Sequence, residues 1–186
     1  MQPIRRVRAG LALLVLAALL TAPAGAWAQG AWHFREAHAA SQRGDYDTAI
    51  REYTLAIESG DLPHPDSFFA FNNRANAYAA KRDWDHALAD YTEALRRNPK
   101  FAAAMRNRGL AYARKGDLEH AIQDFTDAAR LDPDDPHALI ARGLVYCEQR
   151  DFERAVRDFD AALGVCPTCP RAISGRAAAA AGRNCL

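Results

Sequence analysis

Between Phe101 and Asp135 polar stretches are broken by small and aromatic residues in a pattern that reads as two helices joined by a turn. Gly109 and Tyr112 mark the first helix. Ala121, Phe125 and Ala128 fall four and three places apart, on one face of the second. Pro133 closes the unit. The same markers return at one fixed interval on both sides. Gly109 matches Ala75 and Gly143, Tyr112 matches Tyr78 and Tyr146, and Ala121 matches Ala87 and Ala155. Phe125 matches Tyr91 and Phe159, Ala128 matches Ala94 and Ala162, and Pro133 matches Pro99 and Pro167. One helix pair cannot cover its own apolar faces, so such units must stack on one another.

A period of 34 with these small, aromatic and proline places resembles the tetratricopeptide repeat family over about 29–181. The resemblance implies an all-α solenoid of about four helix-turn-helix repeats, near 30–63, 68–101, 102–135 and 136–169, with a C-terminal cap over 170–186. Small residues at the eighth, twentieth and twenty-seventh places let two helices approach closely. Aromatics at the eleventh, seventeenth and twenty-fourth, such as Tyr78, Trp84 and Tyr91, fill the space between neighbours. Burying one such side chain contributes roughly 1.5–3 kcal/mol. The first repeat is degenerate: Ala40 stands for the tyrosine and Asp61 for the proline. The step from Ala49 to Ala87 exceeds the period by four, and the excess falls in the stretch from Gly60 to Ser67, where Pro63 and Pro65 exclude a helix. Ser67 is the expected N-cap of the next helix.

Recurring charges read as parts of the fold. Asp45, Asp83, Asp117 and Asp151 each precede a second helix and are placed to cap it. Asp47, Asp85, Glu119 and Glu153 follow in the first turn, where the helix dipole favours an anion. A carboxylate set repeated in every unit belongs to the fold rather than to acid–base chemistry. Arg74, Arg108 and Arg142 precede Asp90, Asp124 and Asp158 by one constant interval, which predicts an ion pair inside each of repeats two to four. Glu36 and Glu52 hold those places in the first repeat, two like charges that predict a looser unit.

Composition changes the picture mainly at the two ends. Arg5, Arg6 and Arg8, an apolar run from Gly10 to Leu20, and Ala26-Trp27-Ala28 have the form of a secretory leader over 1–28, cut after Ala28. The run is short of the roughly 20 apolar residues of a membrane span, so no stable span is expected after cleavage. The Arg5-Arg6 pair is only a weak sign of twin-arginine export. The whole chain has 24 basic and 23 acidic residues; without the leader's three arginines, 21 face 23. That balance gives no electrostatic footprint for nucleic acid. The expected setting is a bacterial periplasm, or secretion.

Cys147, Cys166, Cys169 and Cys185 all lie near the C-terminus. In an exported chain an even number favours disulfides. A metal site and a thiol–disulfide redox site at Cys166 and Cys169 are the alternatives; the redox form would want Cys166 at a helix N-terminus, and the pattern puts it at a helix end. In a solenoid, first helices cross from one edge to the other and second helices return. Cys147 and Cys185 then share one edge, Cys166 and Cys169 the opposite one. The expected pairs are therefore Cys147–Cys185, which fastens the cap, and Cys166–Cys169.

No nucleophile–base pair or phosphate-binding loop stands out. The six histidines form no ligand set, and neither metal nor cofactor is expected. The family resemblance implies that first helices line a concave groove with their second, fifth, sixth, ninth and twelfth places. Those places put Phe69, Asn72, Asn73 and Asn76 of repeat two, Arg106, Asn107 and Leu110 of repeat three, and His137 of repeat four on the inner face. Amide side chains offer both a donor and an acceptor to an extended backbone, and Arg106 would suit a carboxylate. Some family members clamp a terminal carboxylate with two lysines, two asparagines and an arginine; Asn76 and Asn107 match, whereas Asn72, His137 and Ala141 depart. The expected function is a non-enzymatic scaffold that holds a protein or peptide in the groove. The alternatives are a periplasmic thiol–disulfide protein and a self-associating module.

Overall fold

The structure, a computed structural model, describes residues 29–62 and 66–185. The expected leader and the centre of the linker, with His64, lie outside the described residues. The helices are α1 (Gln29–Gln42), α2 (Tyr46–Glu58), α3 (Asp66–Ala80), α4 (Trp84–Arg97), α5 (Ala102–Lys115), α6 (Leu118–Leu131), α7 (Pro136–Glu148), α8 (Phe152–Val165) and α9 (Pro170–Ala180). They pack as consecutive pairs from α1 with α2 to α7 with α8, each pair stacks on the next, and α9 lies on α8 and α7. Among the described residues there is no strand, and no helix is long and apolar enough to cross a membrane. The architecture is an all-α solenoid.

Each turn inside a pair has one residue in the left-handed region: Gly44 at φ 76°, Arg82 at 62°, Gly116 at 83° and Arg150 at 61°. Glycine adopts this conformation without a Cβ clash; the two arginines hold it under strain. The following aspartate then caps the second helix. Asp45, Asp83, Asp117 and Asp151 accept from the backbone N–H of Thr48, His86, His120 and Arg154 at 3.1, 3.4, 3.3 and 3.0 Å. Three of these caps do a second job, Asp151 by accepting from Arg154 Nε at 2.6 Å. Asp83 and Asp117 also hold the Nδ1 of His86 and His120 at 2.8 and 2.7 Å, and those rings stack on Tyr78 and Tyr112. The first-turn acids do more than answer a dipole. Asp47 and Asp85 pair with Lys81 and Lys115 of the following repeat and so tie neighbours together at one edge.

The core is a row of large rings set among small residues. Tyr53, Tyr91, Phe125 and Phe159 are the largest fully buried side chains. A Cβ at Gly109 would lie 2.8 Å from the Phe125 ring and 3.2 Å from the Ala121 carbonyl oxygen. The backbone of α5 therefore touches α6 at a spacing only glycine permits.

Beside this row runs the predicted ladder of ion pairs. Arg74 meets Asp90 through Nε and Nη2 at 2.7 and 2.8 Å, Arg108 meets Asp124 at 2.8 and 2.8 Å, and Arg142 meets Asp158 at 2.8 and 2.7 Å. The remaining Nη1 of each reaches back to the preceding repeat, to Thr54, Thr92 and Thr126 at 2.9, 3.2 and 2.8 Å. Each forked pair, strong because both groups are charged and coplanar, thus spans two repeats. Arg176 of α9 continues the ladder, bonding Asp160, which stands where the threonines stand in earlier repeats.

Two expectations around the first repeat and its linker need correction. Glu36 and Glu52 do not face each other unrelieved: Glu52 accepts from His33 at 2.8 Å and Arg51 at 3.1 Å, while Glu36 is exposed. The His33 hydrogen bond, followed by Arg51, holds the Glu52 carboxyl below its ordinary range. Asp61, in the place of the proline, accepts from the Gly30 N–H at 3.0 Å and ties the start of α1 to the end of α2. Ser67 is not an N-cap, because α3 already begins at Asp66.

Candidate functional site

A cavity of about 520 Å³ opens between α5, α7 and the start of α9. Leu110, Ala113, Ile140, Ala141 and Leu144 form its apolar walls, and Arg106, Asn107, Arg114, His137, Glu148 and Arg171 border it. A smaller hollow of about 300 Å³ adjoins it toward repeat two, lined by Asn76, Trp84 and Tyr91 and sharing Asn107, Leu110 and Arg114. Together they make one groove, polar at repeat two and apolar toward the cap.

At the junction of the two hollows sits a fixed amide pair. Asn76 Oδ1 accepts from the Tyr91 hydroxyl at 2.6 Å and from Asn107 Nδ2 at 3.1 Å. Burial pushes the Tyr91 phenol well above its usual range, so it stays protonated and donates. These bonds occupy one oxygen of the pair. Asn76 Nδ2 and Asn107 Oδ1 are left as donor and acceptor, the complement of the C=O and N–H that a single residue of an extended chain turns to one side.

The other expected groove residues fare differently. Leu110, 45% exposed, presents its side chain to the cavity, and the His137 ring lies on the rim. Phe69 packs edge-on against Phe101 with centroids 5.3 Å apart and against Phe68 at 4.4 Å, so it supports the start of α5. Asn72 is 5% exposed and gives its Nδ2 to Asn73 Oδ1 at 3.1 Å; the two bond to each other outside the cavity. Arg106 does not wait for a ligand carboxylate: Asp135, which also caps α7 through the His137 N–H at 3.0 Å, already pairs with it. Sequence reasoning missed Arg114 and Arg171. Arg171 had a signal, since it stands one period after His137, at the second place of a fifth first helix.

The structure sets Cys147 beside Cys185 with Cα atoms 5.9 Å apart, and Cys166 beside Cys169 at 5.5 Å, both within disulfide reach. Cys166 is the C-cap of α8, and Cys169 the N-cap of α9. The two pairs bracket the cap helix, and Cys169 also lines the cavity. A helix C-terminus does not depress a thiol pKa as an N-terminus does, so Cys166 lacks the setting of a nucleophilic redox cysteine.

Comparison with known proteins fits this geometry. The model of the tetratricopeptide repeat matches residues 34–89 and 72–136, more than half of the chain. The chain belongs to the tetratricopeptide repeat family. Over 68 residues it is 35% identical to the photosystem I assembly protein Ycf3 of Prochlorococcus marinus (strain MIT 9211), a match covering 37% of this chain and 39% of that relative's length. Among solved structures, MamA superposes with a TM-score of 0.74 at 19% identity, covering 83% of this chain and 82% of that one. A tetratricopeptide repeat protein from Parabacteroides merdae superposes at 0.72 with 25% identity, covering 80% and 58%. The first such domain of Spaghetti (RPAP3), solved with the HSP90 peptide SRMEEVD, gives 0.60 at 22% identity, covering 62% and 92%. The likenesses to MamA and RPAP3 are of fold.

Proposed function

We propose that this tetratricopeptide repeat protein is a non-enzymatic scaffold of the bacterial cell envelope that holds an extended segment of a partner protein in the groove between α3, α5 and α7. One observation carries the reading: the Asn76–Asn107 amide pair, with one donor and one acceptor left over, beside an apolar cavity large enough for a side chain. Backbone recognition by the amides would give affinity, and the cavity would choose the side chain. The domain solved with a bound peptide and the relative named an assembly protein support this class of function.

Export rests on the leader-like 1–28 segment, and an oxidising compartment would let the two cysteine pairs close as disulfides. Cys147–Cys185 would then hold the end of the cap against α7. Two measurements on cells producing the chain test this part together: the N-terminus of the periplasmic protein, expected at Gln29, and its thiol count, expected at zero before reduction. An uncleaved chain with four reactive thiols would refute it.

Asn76→Ala with Asn107→Ala is expected to abolish specific capture of the partner in a crosslinking pull-down from periplasm while leaving helicity unchanged, because Asn76 is exposed and both lie at the groove surface. Capture of the same partners at the same yield would show that binding occurs elsewhere.

A further inference from the structure

We propose that the cap helix makes the groove selective for acid: Arg171, in the first turn of α9, takes the side-chain carboxylate of an extended peptide whose neighbouring large apolar side chain fills the cavity among Leu110, Ile140 and Leu144. The proposal rests on the groove reading above and adds the chemistry of its ligand.

Charge balance around the cavity supports it. Three guanidinium groups border the space, from Arg106, Arg114 and Arg171. Arg106 is answered by Asp135. Arg114 is likewise exposed and without an ion pair among the described residues, but Glu148 occupies the same thirteenth place on neighbouring α7, so that edge carries both signs. Arg171 stands apart. It is exposed, its side chain makes no hydrogen bond or ion pair among the described residues, and the first turn of α9 holds no acid. Leu110, the most exposed side chain of the apolar wall, lies on the facing helix. A ligand that buries an apolar side chain there excludes water from the rim. Arg171 would then bind an anion in a medium where charge attraction is stronger than in bulk solvent. An amine at the same point would meet an unanswered guanidinium, which is the repulsive half of the selectivity.

A side-chain carboxylate fits better than a chain terminus. The amide pair lies on the repeat-two side of the cavity and Arg171 on the cap side, so the bound segment runs past both. A terminal-carboxylate clamp is incomplete: Asn76 and Asn107 match its asparagines, but Asn72, His137 and Ala141 stand where its three cations would be, and nearby Arg106 is spent on Asp135.

The test is a selection of random dodecapeptides on the full chain, run with one phage library fused at the peptide C-terminus and a second with free C-termini. The expected result, in both libraries, is enrichment of a Leu, Ile or Phe adjacent to an Asp or Glu. For the best peptide, an acid-to-amide change should weaken binding by fluorescence polarisation about tenfold on the native chain, the scale of one charged hydrogen bond at a rim, and not at all on Arg171→Glu. That variant should keep its thermal midpoint, since the Arg171 side chain bonds to no partner. Selected peptides without an acid, or equal binding of acid and amide forms, would overturn the proposal and leave the groove reading standing if Asn76→Ala with Asn107→Ala still abolishes binding. Enrichment of acid only at free C-termini would overturn the side-chain assignment. Failure to select any peptide, or selected peptides indifferent to the asparagine variant, would overturn both readings.

Discussion

Phe159→Ala is expected to cost about 3–5 kcal/mol of stability, the range for deleting a buried ring. The ring is fully buried. It sits between the fourth repeat and the cap: a Cβ on Gly143 would lie 3.0 Å from it and one on Gly175 only 2.6 Å. Its surroundings include Ile140, Tyr146, Ala155, Ala162, Ala172 and Ala179. Most of these are alanines and glycines, which have no longer rotamer to swing into the space, so the cavity would stay open. In a solenoid, stability is held in nearest-neighbour contacts, and the loss should therefore be local. Amide hydrogen exchange should rise first in α9 and α8, while α1 and α2 keep their protection. Because α9 forms one wall of the cavity, peptide binding should weaken in parallel. Denaturant unfolding that shows a loss under about 1 kcal/mol, or exchange that rises equally at both ends of the chain, would mean that the ring does not join cap to repeat as described.

The features legible in the sequence are those set by spacing inside one repeat. Four aspartate caps follow from a turn that recurs, and three Arg–Asp pairs follow from a constant separation between arginine and aspartate. What the period does not encode is the surface where one repeat meets another. Asp135 reaches Arg106 from the loop before the next repeat, and no internal match hints at it. Nothing in the sequence pairs Lys81 and Lys115 with an acid, and only the stacking brings Asp47 and Asp85 beside them. The groove is the least legible part. The period gives its inner places as positions, yet depth depends on how far each helix is covered by its neighbour. Asn72 is buried while Asn76, one helical turn on, is exposed. Phe69 is claimed by Phe101, the residue just before α5. Arg171 lies beyond the last complete repeat, where the pattern asks only for a cap that shields.

Breaking the central ion pair is expected to be nearly as costly as losing the ring, and the way it is broken should decide what the pair contributes. Arg108→Met would leave the Asp124 carboxylate, 7% exposed at its side chain, without a counter-charge. Removing one partner of a buried pair costs about 3–5 kcal/mol; water reaches the guanidinium, which is 22% exposed, so the lower end applies. Replacing both, Arg108→Met with Asp124→Leu, should recover most of that loss, because an apolar pair of similar volume avoids the desolvation of two charges. Equilibrium unfolding of the native chain, both single variants and the double variant closes the cycle. A double variant as unstable as Arg108→Met alone would show that the arginine acts through its packing and its bond to Thr92 rather than through charge. If the double variant is stable, the reason for three such pairs lies elsewhere: in fixing how one repeat sits on the next. Each guanidinium binds an aspartate in its own repeat and a threonine in the one before, a fork that only one stacking register satisfies. The stable double variant should then unfold less cooperatively, with a lower denaturant slope, because neighbouring repeats have lost a tie that made them melt together. An unchanged slope would remove the registering role and leave the ladder as a local feature of each helix pair.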